Sequence, residues 1–257
     1  MSRPTGSLFL VPNALDLGTA GIAASLDEVL PLGVLRTAAR LEHWIAENAK
    51  STRAFLKRVE AVAPLARALQ SISIVELPRP LKGGGGGRPS TSNGAALLAP
   101  ATSGADIGLL SEAGLPAVAD PGASVVQTAH GLGIPVVVLP GASSVLLALA
   151  ASGFNGQSFA FVGYLPIDGA ARSARIRELE AHSRRASQTQ MMIETPYRNG
   201  ALLAALLDCL QAGTRISVSC GLTVPGGFTC SDTVAGWRQR PVSLPSDVPA
   251  VFSLLAD

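Results

Sequence analysis

The sequence predicts an α/β protein made of two α/β domains, and three observations carry that prediction. Short β-branched or apolar runs alternate with helical patterns along most of the chain. A length of 257 residues accommodates two compact halves. A composition of 47% hydrophobic against 15% charged residues suits large buried cores and argues against a disordered chain. The expected division is 1–141 for an N-terminal domain and 142–257 for a C-terminal one.

In chain order, the expected strands of the first half are Ser7 to Val11, His43 to Ala46, Ile72 to Leu77, Ile107 to Ser111 and Pro135 to Leu139. Their alternation with helical segments implies largely parallel pairing. The second half offers Phe159 to Gly163, Thr189 to Glu194, Arg215 to Cys220 and Ala250 to Leu255. Asp120 followed by Pro121 reads as an N-cap with proline in the first helical position, opening a helix to about Leu132. Thr195 and Pro196 repeat the device before Leu202, Leu203, Leu206, Leu207 and Leu210 at helical spacing, with Gly213 as a stop. Ser143 to Ser152 is apolar on every side and predicts a helix buried between layers or domains. Lys82 to Gly94, with consecutive glycines and then Pro, Ser, Thr and Asn, predicts a mobile surface loop. It lacks the Gly-Lys-Ser/Thr that a phosphate-binding loop requires.

Mean hydropathy is +0.36, yet no apolar run reaches the roughly 20 uninterrupted residues of a membrane span. The best candidate, Pro135 to Phe154, is broken by Pro140 and Gly141. Ser7 to Val11 is too short for a signal peptide, so the expectation is a soluble cytoplasmic protein without membrane association. Cys209, Cys220 and Cys230 have neither metal-ligand spacing nor the even count of a disulfide framework. His43, His130 and His182 are scattered, and no protein-held metal is expected. Net charge is +2, with Arg172, Arg175, Arg177, Arg184 and Arg185 gathered in one helical stretch. They either meet phosphates or form a solvated face with Glu178 and Glu180. Trp44 and Trp237 are expected in the core or an interface.

The richest stretch runs from Leu109 to Gly141. A strand ends at Ser111 and the chain then turns on the small residues Ala113 and Gly114 before Pro116. In open α/β sheets the carboxyl end of a strand is where ligands bind, and small side chains let the backbone approach them. Glu112 suits a cationic ligand or ribose hydroxyls, or is a solvated turn residue.

These residues resemble the tetrapyrrole methylase superfamily of S-adenosylmethionine-dependent methyltransferases, and especially its bacterial branch that methylates a ribose 2′-hydroxyl of small-subunit ribosomal RNA. The branch pattern S-D-A-G-T-P, S-D-P-G and P-L-P-G-P is matched by Ser111, Glu112, Ala113, Gly114, Pro116, Asp120, Pro121 and Gly122, then Leu139, Pro140 and Gly141. Leu8 to Pro12 resembles the opening strand and its proline. Ala46 to Lys50 resembles A-E-D-T-R, Phe159 to Pro166 resembles F-x-x-x-G-F-L-P, and Glu194 to Arg198 resembles E-S-P-H-R. Leu222-Thr223 resembles the L-T of R-E-L-T-K.

The resemblance implies S-adenosylmethionine bound in a cleft between the two domains of a homodimer. Carried over by position, Pro12, Ser111, Glu112, Ala113 and Gly114 would bind the cofactor from the first domain, and Ile193, Glu194 and Leu222 from the second. Glu47, Tyr197 and Arg198 are the candidates for contact with the methyl acceptor. The acceptor is rRNA or a small molecule such as a tetrapyrrole, and a non-catalytic paralogue is the third reading.

The departures lie at polar positions. Pro12-Asn13-Ala14-Leu15 replaces a glycine turn, Asn48 and Lys50 replace Asp and Arg, and Tyr197 replaces His. Cys220, Gly221 and Val224 replace the three charges of R-E-L-T-K. Lys50 keeps a charge without the bidentate fork of arginine.

Overall fold

The computed structural model describes residues 5–16, 25–78, 94–240 and 242–257. The expected loop at 82–93 lies outside them, and Gly94 opens a helix. The chain divides into two units, Met1–Ser143 and Ser144–Asp257.

In the first unit β1 (Leu8–Leu10), β2 (His43–Ala46), β3 (Ser73–Glu76), β4 (Ile107–Leu110) and β5 (Val136–Val138) form one sheet in the order β3-β2-β4-β1-β5. Every pairing in it is parallel. Parallel neighbours require crossovers, and these are almost always right-handed. The chain moves one way along the sheet from β1 to β3 through α1 (Leu26–Val29), α2 (Leu32–Arg40) and α3 (Ala49–Glu60). It returns to β4 and β5 through α4 (Gly94–Leu97), α5 (Ala99–Thr102) and α6 (Ala123–Gly131). The reversal puts the two helix sets on opposite faces.

The period-two alternation of strand side chains then builds two cores. Trp44 and Leu110 pack with Leu35, Phe55 and Leu56, whereas Ile45 and Leu109 pack with Leu98, Val125 and Ala129. Buried Trp44 donates from Nε1 to the Leu41 carbonyl at 3.1 Å and meets Phe55 edge-on with centroids 6.2 Å apart.

In the second unit β6 (Phe159–Phe161), β7 (Thr189–Glu194), β8 (Arg215–Cys220), β9 (Phe228–Thr233) and β10 (Ala250–Leu255) form a mixed sheet in the order β6-β7-β10-β8-β9. Only β6 and β7 pair in parallel. Central β10 is buried along its whole length. On one face Phe252, Leu254, Ile216 and Val218 meet residues of α8 (Gly169–Ala186), α9 (Asn199–Cys209) and α10 (Val234–Gln239), with Trp237 buried among them. On the other face Met191 and Val251 meet Val145, Ala148 and Leu149 of α7 (Ser144–Ser152).

The structure differs from the sequence reading in three places. Strand β9 is an additional element, polar and only half-buried, so its FTCSDT sequence lacks an apolar strand signature. Helix α7 is covered by the sheet on one side, but Leu146 is 52% exposed, so its apolar circumference is not wholly buried. Asp120 is not an N-cap. Helix α6 begins at Ala123 with Gly122 as its cap residue, at φ +133°, because left-handed Ala117 and Ala119 turn the chain back before the helix can start.

Gly108 sits opposite Trp44 in the β2–β4 ladder, and a β-carbon there would lie 2.6 Å from the indole ring. Gly108→Ala is therefore expected to destabilise the protein by about 2 kcal/mol through overpacking, seen as a lowered denaturant midpoint. Equal midpoints would show that the ring can move aside.

Candidate functional site

The topology chooses the site before any side chain is considered. Connections leave β1 and β4 in opposite directions along the sheet, so β1 and β4 flank the switch point whose carboxyl-end crevice receives ligands in open α/β sheets. The segment after β1 carries Pro12 and Asn13, and that after β4 begins with Ser111 to Gly114.

Asn13 joins these two segments. Its N–H donates to the Gly114 carbonyl at 2.8 Å, and the Gly114 N–H donates back at 3.2 Å, forming an isolated antiparallel bridge. Its Nδ2 donates to the carbonyls of Ser111 at 3.3 Å and Glu112 at 2.9 Å, while Oδ1 accepts from the Ala14 N–H at 2.8 Å. The side chain is buried, so these bonds form away from competing water. Gly114 has φ +66°, a conformation costly for residues with a β-carbon. Ser111 is buried and donates to the Ala113 carbonyl at 3.0 Å, tightening the same turn. Pro12 is buried against Gly141, where a β-carbon would come 2.3 Å from the proline ring. Buried Asp16 pairs with Arg58 of α3 at 2.8 Å and anchors the β1 segment from below.

Three carboxylates surround the turn. Glu47, just past β2, accepts from the Glu112 N–H at 3.2 Å, and its own N–H donates to the Leu110 carbonyl. Burial raises its pKa, with the Glu112 charge adding to the effect against the opposing hydrogen bond from the Glu112 backbone. Glu112 is exposed. Burial, then the charge of Glu47, lifts Asp120 to about 6, against a hydrogen bond with Ser111. Among the described residues none of the three carboxylates forms an ion pair with Lys or Arg, and no cluster of metal-ligating groups occurs. Beside the turn lies an apolar cavity of about 260 Å³, lined by residues including Leu10, Pro116, Ala117, Val126 and Val138.

Asn48, where the resembled pattern has Asp, caps α3 by accepting from the N–H groups of Lys50 and Ser51. The exchange thus keeps the cap and drops the charge. Lys50 is exposed in the first turn of α3.

In the second unit, the end of β7 carries Ile193, Glu194, Tyr197 and Arg198. Glu194 is 4% exposed, and its Oε1 accepts from the Thr195 N–H at 2.7 Å and from Arg198 Nε and Nη2 at 2.9 and 2.6 Å. Arg198 and Glu194 are therefore spent largely on each other, and the arginine guanidinium lies 5.8 Å from the Tyr197 ring centroid. Ile193 and Leu222 pack beside the α7-facing core. Leu222 sits in the β8–β9 connection, where Gly227 crosses Gly221 so closely that a β-carbon would lie 1.9 Å from the Gly221 oxygen. Gly221 itself stands at φ +59°, with Gly227 Cα 3.3 Å from where its β-carbon would lie, which favours glycine where the resembled pattern carries a charge.

The chain is built as a two-unit methylase-type fold and belongs to the family of Tetrapyrrole (Corrin/Porphyrin) Methylases, which matches residues 29–227. Ribosomal RNA small subunit methyltransferase I of Bacillus subtilis (strain 168) is 41% identical to it over 108 residues, 42% of this chain and 36% of the relative. The protein of the same name from Vibrio cholerae serotype O1 is 36% identical over 121 residues, 47% of this chain and 41% of the relative. The aligned stretches thus span well under two thirds of these relatives.

Uroporphyrin-III C-methyl transferase from Thermus thermophilus, complexed with S-adenyl homocysteine, shares the fold at TM-score 0.54 and 18% identity, covering 96% of this chain and 97% of that one. A conserved hypothetical protein from Aeropyrum pernix K1 does so at TM-score 0.60 and 17% identity, over 98% and 85%.

The protonation of Asp120 yields a stability prediction. A folded-state pKa near 6 against 3.8 for the ordinary group means that the folded chain takes up a proton first as pH falls. Stability from this group therefore rises from about pH 7 to about pH 4, and burying the charge is a cost at neutral pH. Asp120→Asn is expected to stabilise the protein at pH 7.5 by about 1 kcal/mol, a figure reduced for solvent screening, and to lose that gain by about pH 4.5. Urea unfolding at both pH values checks this; an equal gain at both would contradict it.

Proposed function

We propose that the protein is an S-adenosylmethionine-dependent methyltransferase whose acceptor is a ribose hydroxyl of ribosomal RNA. The observation that carries this reading is the turn from Ser111 to Gly114, fixed by Asn13 at the switch point and ringed by Glu47, Glu112 and Asp120 without cationic partners among the described residues. An acidic, unneutralised turn suits a ligand carrying a positive sulfonium. Membership of the methylase family and the names of the relatives support the same assignment.

Glu112, Ala113 and Gly114 would hold the cofactor with Pro12 and Ser111 shaping the turn beneath it, and Ile193, Glu194 and Leu222 are the corresponding positions of the second unit. When bound, the cofactor supplies an electrophilic methyl group. The chain's task is to orient the acceptor and receive its proton. Glu47 and Asp120 are the groups suited to accept that proton, because burial raises the proton affinity of both and Asp120, near 6, remains largely ionised at neutral pH. Tyr197 and Arg198 would contact the acceptor, Arg198 mainly by holding Tyr197. A homodimer acting in the cytoplasm belongs to the same proposal. No helix among the described residues is long and apolar enough to cross a membrane.

Calorimetry with S-adenosylmethionine and S-adenosylhomocysteine, followed by transfer of a radiolabelled methyl group to small ribosomal subunits, tests the proposal. The parent protein is expected to bind both compounds and to label the rRNA. Gly114→Val, which forces a β-branched residue into φ +66° against Leu15, is expected to weaken binding by at least about tenfold. Absence of binding by the parent would leave a non-catalytic paralogue, and label confined to a small-molecule fraction would replace the acceptor.

A further inference from the structure

The chain has two tyrosines, and both stand at one edge of the second unit. Tyr164 lies just past β6 and Tyr197 just past β7. These strands are parallel neighbours, and their pairing continues to the edge through the Ile193 N–H, which donates to the Gly163 carbonyl at 3.1 Å. Adjacent strands run about 5 Å apart, so the two rings rise from neighbouring loops. Tyr164 is 55% exposed, Tyr197 77% and Ile167, on the Tyr164 loop, 76%. A single exposed apolar side chain is ordinary, but three large ones on two adjacent loops mark a contact surface.

The surface is rigid. Gly163 turns the chain at φ +73°, and Leu165, 4% exposed, roots the first loop in the core between Tyr164 and Ile167. Arg172 Nη1 reaches back from α8 to donate to the Ile167 carbonyl at 3.3 Å. Tyr197 is backed by the Arg198 guanidinium, itself clamped to buried Glu194. A cation able to meet a phosphate stands beside the rings: Arg172 has no carboxylate partner among the described residues. Fixed, exposed aromatic rings with interleaved arginines are how proteins hold unpaired nucleobases, the rings stacking on bases and the cations meeting the phosphates.

We propose that Tyr164 and Tyr197 form a stacking platform for unpaired bases of single-stranded RNA, with Arg172 on the adjoining phosphate. The proposal rests on the reading of RNA as the methyl acceptor and adds the form in which that RNA is bound, with its bases unstacked from a duplex.

The test uses the full chain and a short single-stranded RNA carrying one fluorescent purine, titrated at about 100 mM salt, where nonspecific phosphate attraction is moderated. Parent protein is expected to quench the purine on binding and to prefer this RNA to the same sequence in a duplex. Tyr197→Ala and Tyr164→Ala should each lose roughly tenfold in affinity together with most of the quenching. Tyr197→Phe and Tyr164→Phe should stay within about twofold of the parent, because the ring survives. Both side chains are more than half exposed, so all four variants should remain folded at the assay temperature, which their thermal midpoints check. If the Ala variants bind and quench like the parent while methyl transfer to rRNA is intact, the platform is wrong and the acceptor assignment stands. If the parent neither binds nor methylates RNA, both fall.

Discussion

One buried asparagine governs the geometry of the loops at the first unit's switch point. In an open parallel sheet the loops at a switch point diverge, because the chain leaves the two flanking strands in opposite directions. Left alone, such loops would be mobile and the crevice between them shapeless. Asn13 removes that freedom by bonding to Gly114 through its main chain and to the carbonyls of Ser111 and Glu112 through its side chain. Glycine at 114 is the reciprocal requirement, since the bridge is made at a backbone angle that a β-carbon opposes. Pro12 packed on Gly141 then fixes the base of the same segment.

The electrostatics follow from this clasp. With Ser111 to Gly114 held in place, the Glu112 N–H points at Glu47, and Asp120 is drawn toward Ser111 when left-handed Ala117 and Ala119 fold the chain back. Glu47 and Asp120 thereby share a small, partly desolvated space, with the exposed Glu112 beside them. Burial, and after it the neighbouring charge of Glu47, is why the proton affinity of Asp120 stands so far above that of an ordinary aspartate. Such a space is unfavourable when empty of positive charge and favourable when a cation enters it. The strained loop backbone is the local cost of the arrangement, as is common at functional sites.

Much of the fold was legible in the sequence because it is written in apolar periodicity. Each expected strand contains an observed one, in several cases shortened by a residue or two at its ends, as at Ser7, Ser111 and Pro135. Strand β9 escaped because its pairing with β8 is a matter of backbone geometry after a glycine-rich turn, with no apolar stripe to announce it. Asp120 was misread for the opposite reason. Asp-Pro is a strong local capping signal, and the tertiary demands of the preceding loop overrode it.

At the site, the turn from Ser111 to Gly114 was visible as small residues after a strand. Asn13 was not, because only the fold brings it beside a segment roughly a hundred residues away; its one signal was a polar residue directly after a strand and a proline. Arg198 and Glu194 stood out as charged motif positions, yet their mutual pairing is seen only once the turn after β7 is formed.

The most direct measurement is the calorimetric affinity of Asn13→Ala for S-adenosylhomocysteine, taken well below the variant's melting temperature so that only the turn is perturbed. The substitution keeps the main-chain bridge and removes the two side-chain bonds to the Ser111 and Glu112 carbonyls. If the Asn13 clasp shapes the cofactor site, affinity falls by roughly tenfold, corresponding to about one net hydrogen bond's worth of preorganisation. Undiminished affinity in the folded variant would contradict the assignment of this turn as the cofactor-binding element.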